Sequence, residues 1–160
     1  MKYRNRVAST VEEFFDTYDG AEVLECVKGD IGAQREREVF LPLALEWTFA
    51  NGKVQDTQYT KLTEVLKRGL DEGVFTKENF KYGLRTLFRH IFTEDFISDL
   101  GPVFTKITGF VCSKLVEWKA VRVDDVLSEL NYMGKSQGKN NYATNIASSF
   151  CLNIKTNMPD

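Results

Sequence analysis

Histidine, cysteine and proline are scarce in this sequence, and long apolar runs are absent. The 160 residues include one histidine and three cysteines, and no cysteine lies in a Cys-x-x-Cys pair or at ligand spacing from the histidine. We therefore expect neither a zinc site nor a disulfide framework, and no other metal or cofactor. No run of about 18 apolar residues is present, so we expect no membrane span. The basic N-terminus lacks the apolar segment of a secretory signal. The three scattered cysteines are typical of reduced thiols in a cytoplasmic protein, and we expect that compartment.

Neither positive nor negative charge predominates in the sequence. The net charge is −2, and hydrophobic and charged residues make up 42% and 28% of the chain. This balance is typical of a globular protein and provides no overall attraction for nucleic acid or an acidic membrane. Any contact of that kind must come from a local patch. The length suits one domain with a sizeable core.

Apolar residues recur at helical spacing through most of the chain. Val7, Val11, Phe14 and Tyr18 are one example, and no segment shows the period-two alternation of a strand between turn residues. The pattern predicts an all-α fold of about seven helices over residues 7–130. Amphipathic helices joined by short loops pack as antiparallel neighbours, so we expect a stack of helical hairpins of the HEAT-like kind.

Several helix boundaries are predicted from local signals in the first half of the chain. Ser9 or Thr10 is a candidate cap for the first helix, which would place Glu12 and Glu13 near its positive end. Pro42 lies inside the pattern of a helix over 34–50. It predicts a kink there or a break before it.

Helix caps are also predicted in the second half of the chain, whereas the C-terminal segment has a different composition. Thr76 is the expected cap of the fifth helix, and Asp124 that of the seventh. Residues 131–160 begin as a polar linker, after which apolar residues recur every four positions. Two alternatives remain for that tail: a short eighth helix that docks on the domain, or a segment ordered only by a partner.

No motif in the sequence indicates catalysis. The single histidine, His90, would need a partner such as Asp95 and a nucleophile such as Cys112, and nothing in the sequence brings these three together. Glycine residues are isolated and form no phosphate-binding loop. We predict that the chain is not an enzyme and keep an unrecognised active site as an alternative.

A basic stripe runs along the predicted fifth helix. Lys77, Lys81, Arg85 and Arg89 recur every four residues, so they lie near one another on the helix surface. One interpretation is a weak contact with RNA phosphates, and the other is a solvated face whose charges suit the helix dipole. We favour the second because no aromatic residues for base stacking are interleaved.

An acidic loop follows that helix. It carries Glu94, Asp95 and Asp99 close to Phe96 and Pro102. Asp99 and Pro102 would serve as cap and first-turn residue of the next helix, and the other acids would then be ordinary surface charges. Alternatively, acids beside exposed apolar groups on a short loop form a docking site for a basic partner surface.

Several dispersed segments have an order and spacing that point to one family. They are VEEFF at 11–15, AEVLECV at 21–27, ALE at 44–46, LTEVL at 62–66, GVFTKENF at 73–80 and GL at 83–84. Asp95 and Asp99, four residues apart, are followed by Pro102. Over residues 11–130 the chain resembles an MA3 domain, as in translation initiation factor 4G and programmed cell death protein 4.

The resemblance implies a stack of helical hairpins that binds the DEAD-box RNA helicase initiation factor 4A. It implies that the acidic loop, with Glu94, Asp95, Phe96, Asp99 and Pro102, is part of the contact. We would then expect a monomeric domain of a larger translation-initiation scaffold that modulates the helicase. Two alternatives stay open: a generic helical-repeat adaptor with another partner, and an RNA-binding domain that uses the basic stripe.

Overall fold

Most of the chain that the structure describes is helical. The structure is a computed structural model that describes residues 4–29, 37–50, 56–98, 100, 102–136 and 140–157. Within these residues there are nine α-helices, two π-helical turns and no strand, which confirms the predicted all-α fold. None of the described helices combines the length and apolar character needed to cross a membrane.

The helices belong to two compact units, Met1–Leu87 and Phe88–Asp160. The helices of the first unit are α1 (Arg4–Thr17), α2 (Gly20–Gly29), α3 (Phe40–Ala50), α4 (Asp56–Asp71) and α5 (Lys77–Thr86). Helix α1 packs on α2 and α3, and α3 also packs on α4 and α5. The core of this unit therefore lies around α3, which is buried along most of its length.

The second unit holds the remaining helices. They are α6 (Glu94–Ile97), α7 (Pro102–Glu117), α8 (Val123–Asn131) and α9 (Asn140–Asn157), with π-helical turns at Leu87–Ile91 and Tyr132–Ser136. The C-terminal helix is thus present, and it packs on α7 and α8. Its apolar residues Ile146 and Phe150 are buried. Their four-residue spacing in the sequence therefore marks the buried face of this helix.

Helix α1 begins earlier than its predicted cap. Ser9 and Thr10 lie inside the helix, and their hydroxyls donate to the carbonyls of Asn5 and Arg6, at 3.0 and 3.2 Å. Such bonds to the preceding turn are typical of Ser and Thr within a helix. The capping prediction was therefore wrong, and the acidic residues that follow lie in the C-terminal half of α1, away from its positive end.

Three further residues, Thr76, Pro42 and Asp124, were predicted to mark helix boundaries. Thr76 caps α5 as predicted, because its Oγ1 accepts from the backbone N–H of Asn79 at 3.2 Å. Pro42 sits in the first turn of α3, after a turn at Val39, where its missing N–H removes no helical bond. The prediction of Asp124 as the cap of α8 was wrong. The cap position is Arg122, two residues earlier, and Asp125 accepts from the backbone N–H of Arg122 at 2.9 Å.

Helices α7 and α9 approach each other very closely. A methyl group added at Gly109 would lie 2.8 Å from the backbone nitrogen of Phe150 and would also meet the side chain of Ser149. The Ser149 hydroxyl donates to the carbonyl of Lys106 at 3.1 Å. Only a residue without a side chain fits here, so glycine and serine together let the two helix backbones come into contact.

Candidate partner-binding surface

The acidic segment begins as a single helical turn, α6. Thr93 caps it: the backbone there is extended, and Oγ1 accepts from the backbone N–H of Phe96 at 3.3 Å. At the other end, Ile97 is fully buried. The turn is therefore fixed at both ends, by a hydrogen bond and by a core side chain, although it has only four residues.

The two acids on this turn are exposed. Glu94 and Asp95 occupy the first turn of α6, where unsatisfied backbone N–H groups favour negative charge. Neither carboxylate forms an ion pair with another described residue. The turn therefore presents two uncompensated negative charges to solvent on a rigid support.

Apolar groups accompany these charges along the chain. Phe96 is half-buried, Pro102 is exposed as the first residue of α7, and Val103 keeps 45% of its surface exposed. Proline suits that position because the first helical N–H has no partner within the helix. Asp99, the fifth predicted contact residue, lies outside the described residues. The structure thus places four of the five predicted residues, all with accessible surface.

The four cations of the basic stripe are not equivalent. Lys77, Lys81 and Arg85 are exposed on α5. Arg89 lies beyond the end of α5, in the π-helical turn, and its Nε donates to Glu129 Oε1 at 2.8 Å. Its guanidinium also lies 4.3 Å from the centre of the Tyr132 ring. Arg89 therefore has an internal role, which leaves three exposed cations for an external partner.

The residues considered for catalysis are in unsuitable surroundings. Cys112 is buried in α7, and burial raises the pKa of its thiol to about 12. The thiol is therefore protonated at neutral pH and is no nucleophile. His90 is exposed. Among the described residues, no cluster of His, Cys, Asp or Glu could hold a metal ion.

A second surface of interest was missed by the sequence prediction. A groove of about 660 Å³ lies between α1 and α3 in the first unit, lined by Ser9, Glu12, Glu13, Phe15, Asp16 and Trp47. The rings of Phe15 and Trp47 are stacked, with centroids 4.4 Å apart and planes 3° from parallel. The wrong cap position for α1 hid this site, because it gave Glu12 and Glu13 a structural explanation.

Comparisons with known proteins yield no relative. No family model, no characterised protein and no solved structure matches the chain.

Proposed function

We propose that this chain is an interaction module of a cytoplasmic translation-initiation scaffold, and that it binds the DEAD-box RNA helicase initiation factor 4A through α6 and the start of α7. The observation that carries the proposal is the pair of exposed, uncompensated carboxylates of Glu94 and Asp95 on a turn held by Thr93 and Ile97. Helicase 4A as the partner rests on the resemblance to MA3 domains.

The chemistry of such a contact follows from the two kinds of side chain. Fixed carboxylates accept charge-assisted hydrogen bonds from Arg or Lys of the partner, and their field speeds association. Phe96, Pro102 and Val103 supply accessible apolar surface whose burial slows dissociation. A module of this kind needs no catalysis, because binding one helicase conformation better than another shifts the helicase equilibrium.

The decisive experiment is a calorimetric titration of the full chain with helicase 4A. We expect the double variant Glu94→Gln/Asp95→Asn to bind about tenfold more weakly, since the two lost charge pairs together contribute roughly 1.4 kcal/mol. The matched control is Glu22→Gln/Glu78→Gln. It removes the same charge from exposed residues that also lie in first turns of helices.

Either of two results would overturn the proposal. One is the absence of any heat of binding with the parent chain, and the other is an equal loss in the control variant. Circular dichroism of all variants separates lost contacts from lost helix. If the parent chain fails to bind helicase 4A, the acidic turn still suits a helical adaptor with another basic partner.

RNA binding through the basic stripe has less support. Only Lys77, Lys81 and Arg85 are exposed, and the guanidinium of Arg89 is already bonded to Glu129. Fewer phosphate contacts give weaker binding with a smaller salt dependence. An RNA contact would be revealed by affinity that falls when Lys81 and Arg85 are replaced by Glu.

A further inference from the structure

The groove between α1 and α3 combines an aromatic wall with an acidic rim. Phe15 and Trp47 form the wall, and Glu12, Glu13 and Asp16 form the rim. The three carboxylates are exposed and make no ion pair with another described residue. The groove therefore presents a hydrocarbon surface next to concentrated negative charge.

Folding alone does not favour acids at these positions. Asp16 lies in the last turn of α1, where the helix dipole repels negative charge, and that turn contains no basic residue. Glu12 and Asp16 are four residues apart, so their like charges face each other along the helix. Glu12 and Asp16 thus weaken the helix that carries them.

Three other acids of this unit, on a helix or directly after one, are arranged differently. Glu25 pairs with Lys28, Asp71 with Lys67 and Glu72 with Arg68, at 3.2, 2.6 and 2.6 Å. Each of these cations lies three or four residues from its acid along the chain, a spacing that stabilises helices. The cluster on α1 has no such compensation within the described chain, so its complementary charge must come from elsewhere.

The aromatic side chains of the groove indicate which side chains of a partner fit there. Phe15 is almost fully buried and Trp47 is partly exposed, so the stacked pair offers ring edges and part of the indole surface. Lys and Arg side chains have a hydrocarbon stem that lies along such a surface and a cationic head that stays at its rim. Arginine also favours contact with aromatic rings.

We propose that this groove binds a basic linear segment of a partner protein, with one Arg or Lys stem along Phe15 and Trp47 and its cation between Glu12 and Asp16. Neighbouring basic residues of the segment meet Glu13. The site is in the first unit and uses none of the residues of α6. It is therefore independent of the helicase contact proposed above.

The test uses Trp47 as the reporter of its own groove. The chain contains two tryptophans, so the Trp118→Phe variant leaves Trp47 as the only indole. This protein is titrated with the capped peptide Gly-Arg-Leu-Arg-Gly and with the matched peptide Gly-Gln-Leu-Gln-Gly. We expect a saturable change in fluorescence with the arginine peptide only.

Substitutions then locate the binding. In the same background, Glu12→Gln/Asp16→Asn should weaken binding of the arginine peptide about tenfold, as expected for two close charge contacts. The control Glu22→Gln/Glu78→Gln removes the same net charge from the same unit, outside the groove, and should leave the affinity within about twofold.

Three results would overturn the inference. They are the absence of a saturable change with the arginine peptide, equal affinity for the Glu12→Gln/Asp16→Asn variant, and an equal loss in the control. A concentration-dependent mass in sedimentation equilibrium that this variant abolishes would assign the groove to a second copy of the chain instead. Binding of helicase 4A is measured separately with the α6 variants, so either proposal can fail alone.

Discussion

The two acidic surfaces of this protein differ in how the backbone supports them. Glu94 and Asp95 lie in the first turn of α6, where the helix end attracts negative charge. Asp16 lies in the last turn of α1, where the helix end repels it, and Glu12 lies four residues earlier, where it repels Asp16. The first pair stabilises its helix, and the second pair weakens it.

This difference shows which charges need an explanation beyond folding. An acid in a first helical turn has a structural reason to be present, so its exposure is weaker evidence for binding. An uncompensated acid near a helix C-terminus has no such reason, so its presence is stronger evidence for a partner. By this measure the groove on α1 is the more informative surface, although the sequence had pointed to α6.

The largest effect is expected where a charge of the second unit is buried. Replacing Glu129 by Ala would leave the Arg89 guanidinium without its acceptor. Arg89 keeps 31% of its side-chain surface exposed, so we expect a loss of about 2 kcal/mol in unfolding free energy, below the range for fully buried pairs. Urea unfolding followed by Trp118 fluorescence in a Trp47→Phe background measures it.

The control for this prediction is Glu117→Ala. Its pair with Lys114, at 3.2 Å, leaves 46% of the Glu117 side chain exposed against 7% for Glu129, and we expect a loss below about 0.5 kcal/mol. Equal losses in the two variants would mean that burial does not distinguish the charges of the second unit.

A smaller effect is expected at the cap of α6. Thr93→Ala removes the acceptor for the Phe96 N–H and should destabilise the turn by about 1 kcal/mol. Hydrogen exchange of the Phe96 amide should then be faster. Thr93→Ser keeps the hydroxyl and should restore protection, whereas fast exchange in both variants would show that the cap does not hold the acidic turn.

The smallest effect is expected from neutralising the two acidic surfaces, and its sign should differ between them. Glu12→Gln/Asp16→Asn should raise the unfolding free energy of the first unit by about 0.5 kcal/mol, because it relieves repulsion within α1. Glu94→Gln/Asp95→Asn should lower that of the second unit by a similar amount. Urea titrations reported by Trp47 and Trp118, respectively, check both.

A stability loss in both double variants would contradict the physical basis of the comparison. The control Glu22→Gln/Glu78→Gln replaces acids in first turns, so it should behave like the α6 variant. We expect the unfolding free energy to fall in the control and in the α6 variant, and to rise in the α1 variant.

Much of the fold could be predicted from the sequence, because apolar spacing reports which face of a helix is buried. The helical spacing of Phe80, Leu84, Phe88 and Ile91 predicts one core face, and all four are buried. The spacing of Val126, Leu127 and Leu130 predicts that Leu127 is also in the core, but it is 44% exposed. Spacing identifies a face, but it does not say how far a neighbouring helix extends over it.

The candidate sites were predictable only in part. The exposure of Glu94 and Asp95 could be predicted from their place in a short segment between two helices. The helix cap at Thr76 could be predicted from its hydroxyl side chain. The role of Arg89 could not be predicted, because its partner Glu129 is 40 residues away and the backbone changes from an α-helix to a π-helical turn after Thr86. Local periodicity contains no information on either.

The sequence by itself determined that this protein is all-helical, which residues form most of its core, and where charge is concentrated along the chain. These properties depend on spacing and composition, which act locally. The tertiary structure alone decided that Trp47 stacks on Phe15 beside the acids of α1, that α9 lies against Gly109, and that Glu129 binds Arg89. Each of these depends on packing between distant segments, and packing selects partners by shape and charge in three dimensions.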